Sequence, residues 1–98
     1  MNDSVANQNQ GRCYKRSHDA VATLLDDSVC LFNLKTCEYF SLNETGSAIW
    51  ECIEKPATVA EITANIADLY VISHEECCGE IKAWLESAAA HGVIDVIP

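Results

Sequence analysis

Basic residues are scarce in this sequence and unevenly placed. Six of its 98 residues are Lys or Arg, against 15 Asp or Glu, giving a formal net charge of −9. No Arg, Asn or Gln follows Asn65, and Lys82 is the one Lys or Arg after Ser73, among Glu75, Glu76, Glu80, Glu86 and Asp95. Such a surface repels phosphate backbones. It also lacks the side chains that read base edges in the major groove, so nucleic acid is not an expected partner. A basic or neutral peptide is tolerated or attracted; the plainer reading is that acidity keeps a small protein soluble. No apolar run is long enough to cross a bilayer, so no membrane partner is expected. The stretch from Met1 to Gly11 is polar and has no apolar h-region, so no signal peptide is expected there. No CxxC pair occurs among the six cysteines, which are expected to be reduced thiols in a cytoplasm.

Recognisable catalytic equipment is missing as well. A nucleophilic thiol would have to be Cys77 or Cys78 near a helix N-terminus, with His74 close in sequence. Nothing accompanies them that suggests a substrate pocket or an oxyanion device, so no enzymatic activity is expected. His74, Cys77 and Cys78 also stand at i, i+3 and i+4, a spacing that could share one helix face with a fourth ligand from Cys13, Cys52 or His91. Incidental or buried cysteines are the commoner case, and neither a metal nor a cofactor is expected.

What the chain does contain is a β-to-α junction, Tyr39 to Ile53, YFSLNETGSAIWECI. Asn43 stands at the joint as a helix N-cap. Glu44 follows at the positive end of the helix dipole, and Ile49, Trp50 and Ile53 make an apolar stripe. Gly46 costs about 1 kcal/mol against Ala in a helix interior, and close approach of a neighbouring backbone would explain it. Pro56 ends this helix soon after Lys55. Upstream, Ala20 to Asp26, Val29 to Leu34 and Glu38 to Leu42 read as three strands, separated by Asp26-Asp27-Ser28 and Lys35-Thr36-Cys37. Links this short require an antiparallel meander, which needs a helical layer for stability. If Asn33 faces Glu38, Cys30 faces Ser41, and Cys30 and Cys37 are too far out of register to be bridged.

Two S/T-x-x-E capping boxes, Thr58 with Glu61 and Ser73 with Glu76, open two more helices. One is expected over about Val59 to Tyr70, with Val59, Ile62, Ile66 and Leu69 on one face. The other is expected over about His74 to Ala90, with Cys77 or Cys78, Ile81, Trp84, Leu85 and Ala88 repeating at three and four residues. Gly92 fits the left-handed position beyond it. Val93 to Ile97 can add a strand or fold back on the core. The fold class is therefore α+β, a small winged-helix-like domain with a three-stranded antiparallel meander followed by three helices. Residues 1–18 are expected to be a disordered tail and 19–98 the folded domain.

The third strand is the leading functional candidate. It lies at an edge of the meander, and an edge offers unpaired amides and carbonyls to an added strand. Glu38, Tyr39, Phe40, Ser41 and Leu42 form that edge, with Lys82 and Trp84 of the third helix beside it. The competing reading makes Tyr39, Phe40 and Trp84 ordinary core aromatics. A second functional reading is a winged-helix regulator acting through DNA or protein contacts.

The run from Leu31 to Gly46, with Ala48-Ile49-Trp50, Thr58 to Ile62, the stretch Tyr70 to Glu76, Trp84-Leu85 and Gly92-Val93-Ile94, resembles the PqqD-like family. The likeness spans about Val21 to Val96. It implies a non-catalytic peptide-recognition domain of ribosomal peptide natural-product pathways. Such a domain binds the leader of a precursor peptide beside the third strand and against the third helix, then presents it to a maturation enzyme. That partner is a radical S-adenosylmethionine enzyme in the pyrroloquinoline quinone pathway, or a leader peptidase and cyclase in lasso-peptide pathways. The resemblance places the peptide on Glu38, Tyr39, Phe40, Ser41 and Leu42, with Ile81, Lys82, Trp84 and Leu85 opposite. Two positions depart from the family pattern. Cys37 stands where Gly is common, which would strain a positive φ, and Ala88 stands where Leu is usual, leaving less core or a wider groove.

Overall fold

The structure is a computed structural model that describes residues 12–98. Its nine elements are β1 (Cys13–Arg16), β2 (Ala20–Leu25), β3 (Ser28–Asn33), β4 (Glu38–Ser41), α1 (Glu44–Cys52), β5 (Ala57–Thr58), α2 (Val59–Tyr70), α3 (His74–Ala90) and β6 (Ile94–Ile97). The expected meander is present as an antiparallel sheet in the order β2-β3-β4. Its register pairs Asn33 with Glu38 and Cys30 with Ser41, and the Cys30 thiol lies 3.9 Å from the Ser41 hydroxyl.

A second sheet, in the order β5-β1-β6, corrects the expected tail. The disorder expected for residues 1–18 fails from Arg12 onward, and its first eleven residues lie outside the described ones. β1 runs antiparallel between β5 and β6, with Lys15 opposite Asp95. Three contacts hold it. Tyr14 packs on the core, the buried Ser17 donates its amide to the Val93 carbonyl at 3.1 Å, and Arg16 reaches α1. The Arg16 guanidinium donates to the Trp50 carbonyl at 3.0 and 2.8 Å and lies 4.6 Å from the centre of the Trp50 ring. α1 has no basic residue in its own last turn, so Arg16 supplies from another strand the cation that a helix C-terminus favours.

The helices begin as their caps dictate. Asn43 accepts the Gly46 amide at 2.7 Å. Thr58 and Glu61 form the reciprocal box, at 3.1 and 2.9 Å. Ser73 accepts the Glu76 amide at 3.2 Å, while the Glu76 carboxylate meets the Ser73 hydroxyl. α1 stops at Cys52, one turn earlier than Pro56 alone requires, and Ala57–Thr58 beyond it is drawn into β5. Leu31, Ile49, Ile53, Ile62, Ile66, Ile81, Leu85 and Val93 fill the core between the meander and the helices. Burying a side chain of this kind stabilises by about 1.5–3 kcal/mol.

Two expectations about the helix faces need correction. Leu69 is 66% exposed, and Thr63 and Ala67 take the buried side of α2 instead. The buried stripe of α2 runs through Ile62, Thr63, Ile66 and Ala67 to Tyr70, which packs on the core, and Leu69 falls to one side of it. Ala88 is fully buried; the small side chain belongs to the core and does not widen a groove.

Candidate functional site

The site begins with the parity of one hydrogen bond. The Leu42 amide donates to the Val29 carbonyl at 3.0 Å. Alternation along an antiparallel pair then turns the Phe40 and Glu38 amides toward β3 and leaves those of Tyr39 and Ser41 on the open margin. β4 is the last strand of its sheet, and among the described residues no strand pairs with its outer side. The C-terminal strand β6 pairs with β1 and does not cover it.

Side chains alternate as well. Tyr39 is 56% exposed and leans on Phe32 of β3, ring centres 4.9 Å apart, on the outer face of the sheet. Phe40 points the other way, toward α3. It meets the Trp84 ring edge-on at 5.8 Å and the His91 ring at 5.0 Å. Trp84 is partly buried and forms the wall that rises beside β4. Its indole nitrogen explains Gly46: a β-carbon there would lie 2.6 Å from Trp84 Nε1. The close neighbour is therefore this side chain and not a backbone segment. Of the other residues named for the site, Leu42, Ile81 and Leu85 are buried, and Glu38, Ser41 and Lys82 are exposed. Leu85 and Leu42 belong to the core behind the wall.

Asn33 holds strand and helix together, and patterning did not single it out. It is 3% exposed and makes three hydrogen bonds. Its Nδ2 donates to the His91 carbonyl at 2.8 Å, while its Oδ1 accepts the Lys35 and Thr36 amides at 2.8 and 3.3 Å. One side chain thus shapes the β3–β4 hairpin and fastens it to the end of α3. An Asn before a tight turn was the available signal. Gly92 at φ 73° leaves the space for it, since a β-carbon there would sit 2.8 Å from Asn33 Nδ2.

The thiol and metal readings fare differently from the edge. Cys77 turns into the core and points its sulfur at the Thr63 carbonyl, 3.9 Å away. Burial, then Cys78 and Glu80, push its pKa up, opposite to what an activated nucleophile needs. Cys77 thus parts from the exposed His74. Among the described residues no group of three His, Cys, Asp or Glu side chains is placed to hold a metal.

An open β-margin walled by a helix, on a small α+β scaffold, defines a class of domains equipped to accept an extended chain. Residues 28–94 match the family model described as coenzyme PQQ synthesis protein D, PqqD. The match covers more than half of the chain, which belongs to the PqqD family. Two solved structures are similar. One is TbiB1 in complex with the TbiA(beta) leader peptide, 28% identical, with a TM-score of 0.73 over 83% of this chain and 94% of that one. The other is lasso peptide synthetase B1 complexed with the leader peptide, 18% identical, with a TM-score of 0.72 over 87% of this chain and 98% of that one; at that identity the likeness concerns the fold. No curated protein matches the chain.

Proposed function

We propose that this chain binds the leader segment of a ribosomally made precursor peptide and hands it to a maturation enzyme, without itself performing chemistry. The observation that carries this reading is the open margin of β4, with the Tyr39 and Ser41 amides facing outward beside the Trp84 wall. A leader laid there pairs its main chain with β4, which supplies affinity, while side chains lodged against Phe40 and Trp84 supply selectivity. The indole N–H of Trp84 has no acceptor among the described residues and is a further donor for the guest. TbiB1, solved with a leader peptide, supports the choice of guest. The enzyme is a leader peptidase or cyclase, or a radical S-adenosylmethionine enzyme.

The test is a titration of the isotopically labelled chain with the leader of a precursor encoded beside its gene. The Tyr39 and Ser41 amides are expected to move downfield and become protected from exchange. Saturable binding that leaves both amides unchanged would place the guest elsewhere and end this reading. Co-purification with a maturation enzyme encoded beside its gene, dependent on the precursor, tests the proposed partner.

A further inference from the structure

Past the Ser41 end of β4 the chain leads through Leu42 and Asn43 into Glu44, the first residue of α1. On the opposite wall, the turn of α3 that precedes Trp84 carries Glu80 and Ile81. Both lines converge on a cleft of about 330 Å³ between the start of α1, the end of α2 and the first half of α3. Ile66, Tyr70, Ile72 and Ile81 give it an apolar lining, and Glu44 and Glu80 bring two carboxylates to it. Neither carboxylate has an ion-pair partner among the described residues, and residues 1–11 contain no Lys or Arg that could provide one. The field of Glu80 reaches the cleft floor, where it helps to raise the Cys77 thiol.

Apolar walls with unneutralised carboxylates match one kind of side chain. Lys and Arg lay an aliphatic stem along apolar surface and keep a charged head in contact with water and anions. The Tyr70 ring adds a face that attracts cations. We propose that this cleft takes an Arg or Lys side chain of the bound peptide, its stem against Tyr70 and the exposed Ile72 and its head at Glu44 and Glu80. The inference rests on the peptide-binding reading and adds the chemical class of one anchor residue. The same carboxylates would draw cationic segments toward the groove from solution.

The cleft can be tested without any peptide. The labelled full-length chain is titrated with n-butylguanidinium, an arginine side-chain mimic, and separately with 1-pentanol, of similar length but uncharged. The guanidinium is expected to shift the amides of Thr45, Tyr70, Ile72 and Ile81. The shifts should shrink as salt is raised and disappear in a Glu44→Gln, Glu80→Gln double variant. Equal shifts with the alcohol would make the cleft a plain apolar pocket, and no shift with either would remove it as a site; both results overturn the proposal. A positional-scanning peptide library on the immobilised chain then asks whether binders enrich a basic residue at one position. The double variant should lower that enrichment roughly threefold to tenfold. Binders that protect Tyr39 and Ser41 without basic enrichment would sink the cation pocket and leave the strand-pairing reading standing. Binders that leave those two amides unprotected would sink that reading, with the guanidinium titration still judging the cleft.

Discussion

Strands β2 and β4 border the same sheet, and each leaves alternate amides unpaired within it. The Leu34 amide bonds to the Asp19 carbonyl at 2.8 Å, so by alternation Ala22 and Leu24 face outward from β2 as Tyr39 and Ser41 do from β4. The difference lies beneath them. Across the inner face, one row reads Ala22, Leu31, Phe40, and these are exposed, buried and partly buried in turn. The helical layer covers β3 and β4 and reaches β2 only at Ala20, leaving Ala22 and Leu24 exposed, Leu24 at 69%. β2 is a margin without a wall. β4 has Trp84 beside it and the cleft of α1, α2 and α3 at its end. A vacant ladder is common to every sheet edge; in the proposed reading, what would make β4 rather than β2 a receptor is the second surface beside it, which orders and selects a guest.

The largest test attacks the join between that strand and that wall. Asn33→Ala removes three hydrogen bonds, to the Lys35 and Thr36 amides and the His91 carbonyl, and empties a buried position. The expected loss is roughly 2–4 kcal/mol of stability, read as a lower urea midpoint at unchanged slope. Leader affinity should fall with it, because β4 and Trp84 lose their common anchor. A variant as stable as the parent would show that the wall is held by core packing alone.

Next comes a matched pair of prolines. Each removes one outward amide, and Pro is tolerated at such positions on an edge strand. Ser41→Pro is expected to weaken leader binding roughly tenfold or more, from one lost main-chain bond and the ring's bulk. Ala22→Pro should leave affinity unchanged. Calorimetry on both variants checks the pair, and equal losses would erase the distinction between the two margins.

Much of this comparison is visible in the residues themselves, because it depends on local rules. Asn43, the Thr58–Glu61 box and Gly92 mark element ends through interactions spanning a few residues. The Cys30–Ser41 register follows from the length of one hairpin. The parts that escape a linear reading come from distant partners. β1 is short, follows Arg12 and itself contains Lys15 and Arg16; it becomes a strand because β6, some eighty positions later, pairs with it. The clasp of Arg16 on Trp50 has no sequence spacing to reveal it. Periodicity marks Leu69 as apolar but cannot say that α3 passes it by. The cleft draws its lining from three helices, so no single motif announces it.

A smaller effect distinguishes the buried helix wall from a reactive one. Desolvation first, then the neighbouring Cys78 and Glu80, raise the Cys77 pKa above its ordinary 9.0. The unfolded chain therefore ionises this thiol before the folded one does. Its contribution to stability is complete below the ordinary value and is lost as pH climbs toward the raised one. Under reducing conditions the urea midpoint should hold from neutral pH to about 8.5 and then decline. Cys77→Ala should flatten part of that decline. Cys52, raised chiefly by burial and opposed by its hydrogen bond with Asn65, contributes the same sign of slope.

The smallest effect concerns the hairpin that presents β4. Cys37 sits at φ 63°, a left-handed conformation that costs an L-residue roughly 1–2 kcal/mol. The turn is nevertheless well determined: the Cys37 amide donates to the Asn33 carbonyl at 2.7 Å, and the Asn33 side chain holds the two amides before it. Those bonds offset the strain, so Cys37 is held where Gly would rest freely. Cys37→Gly relieves the strain but adds chain entropy to the unfolded state, a cost of roughly 0.5–1 kcal/mol. The net expectation is a stabilisation of about 0.5 kcal/mol, seen as a slightly higher urea midpoint, with leader affinity unchanged because Tyr39 and Ser41 keep their parity. A destabilised variant would mean that the exposed thiol side chain has a packing role. A stable variant with weaker binding would mean that the rigidity of this hairpin, and not only the wall beside it, separates β4 from β2.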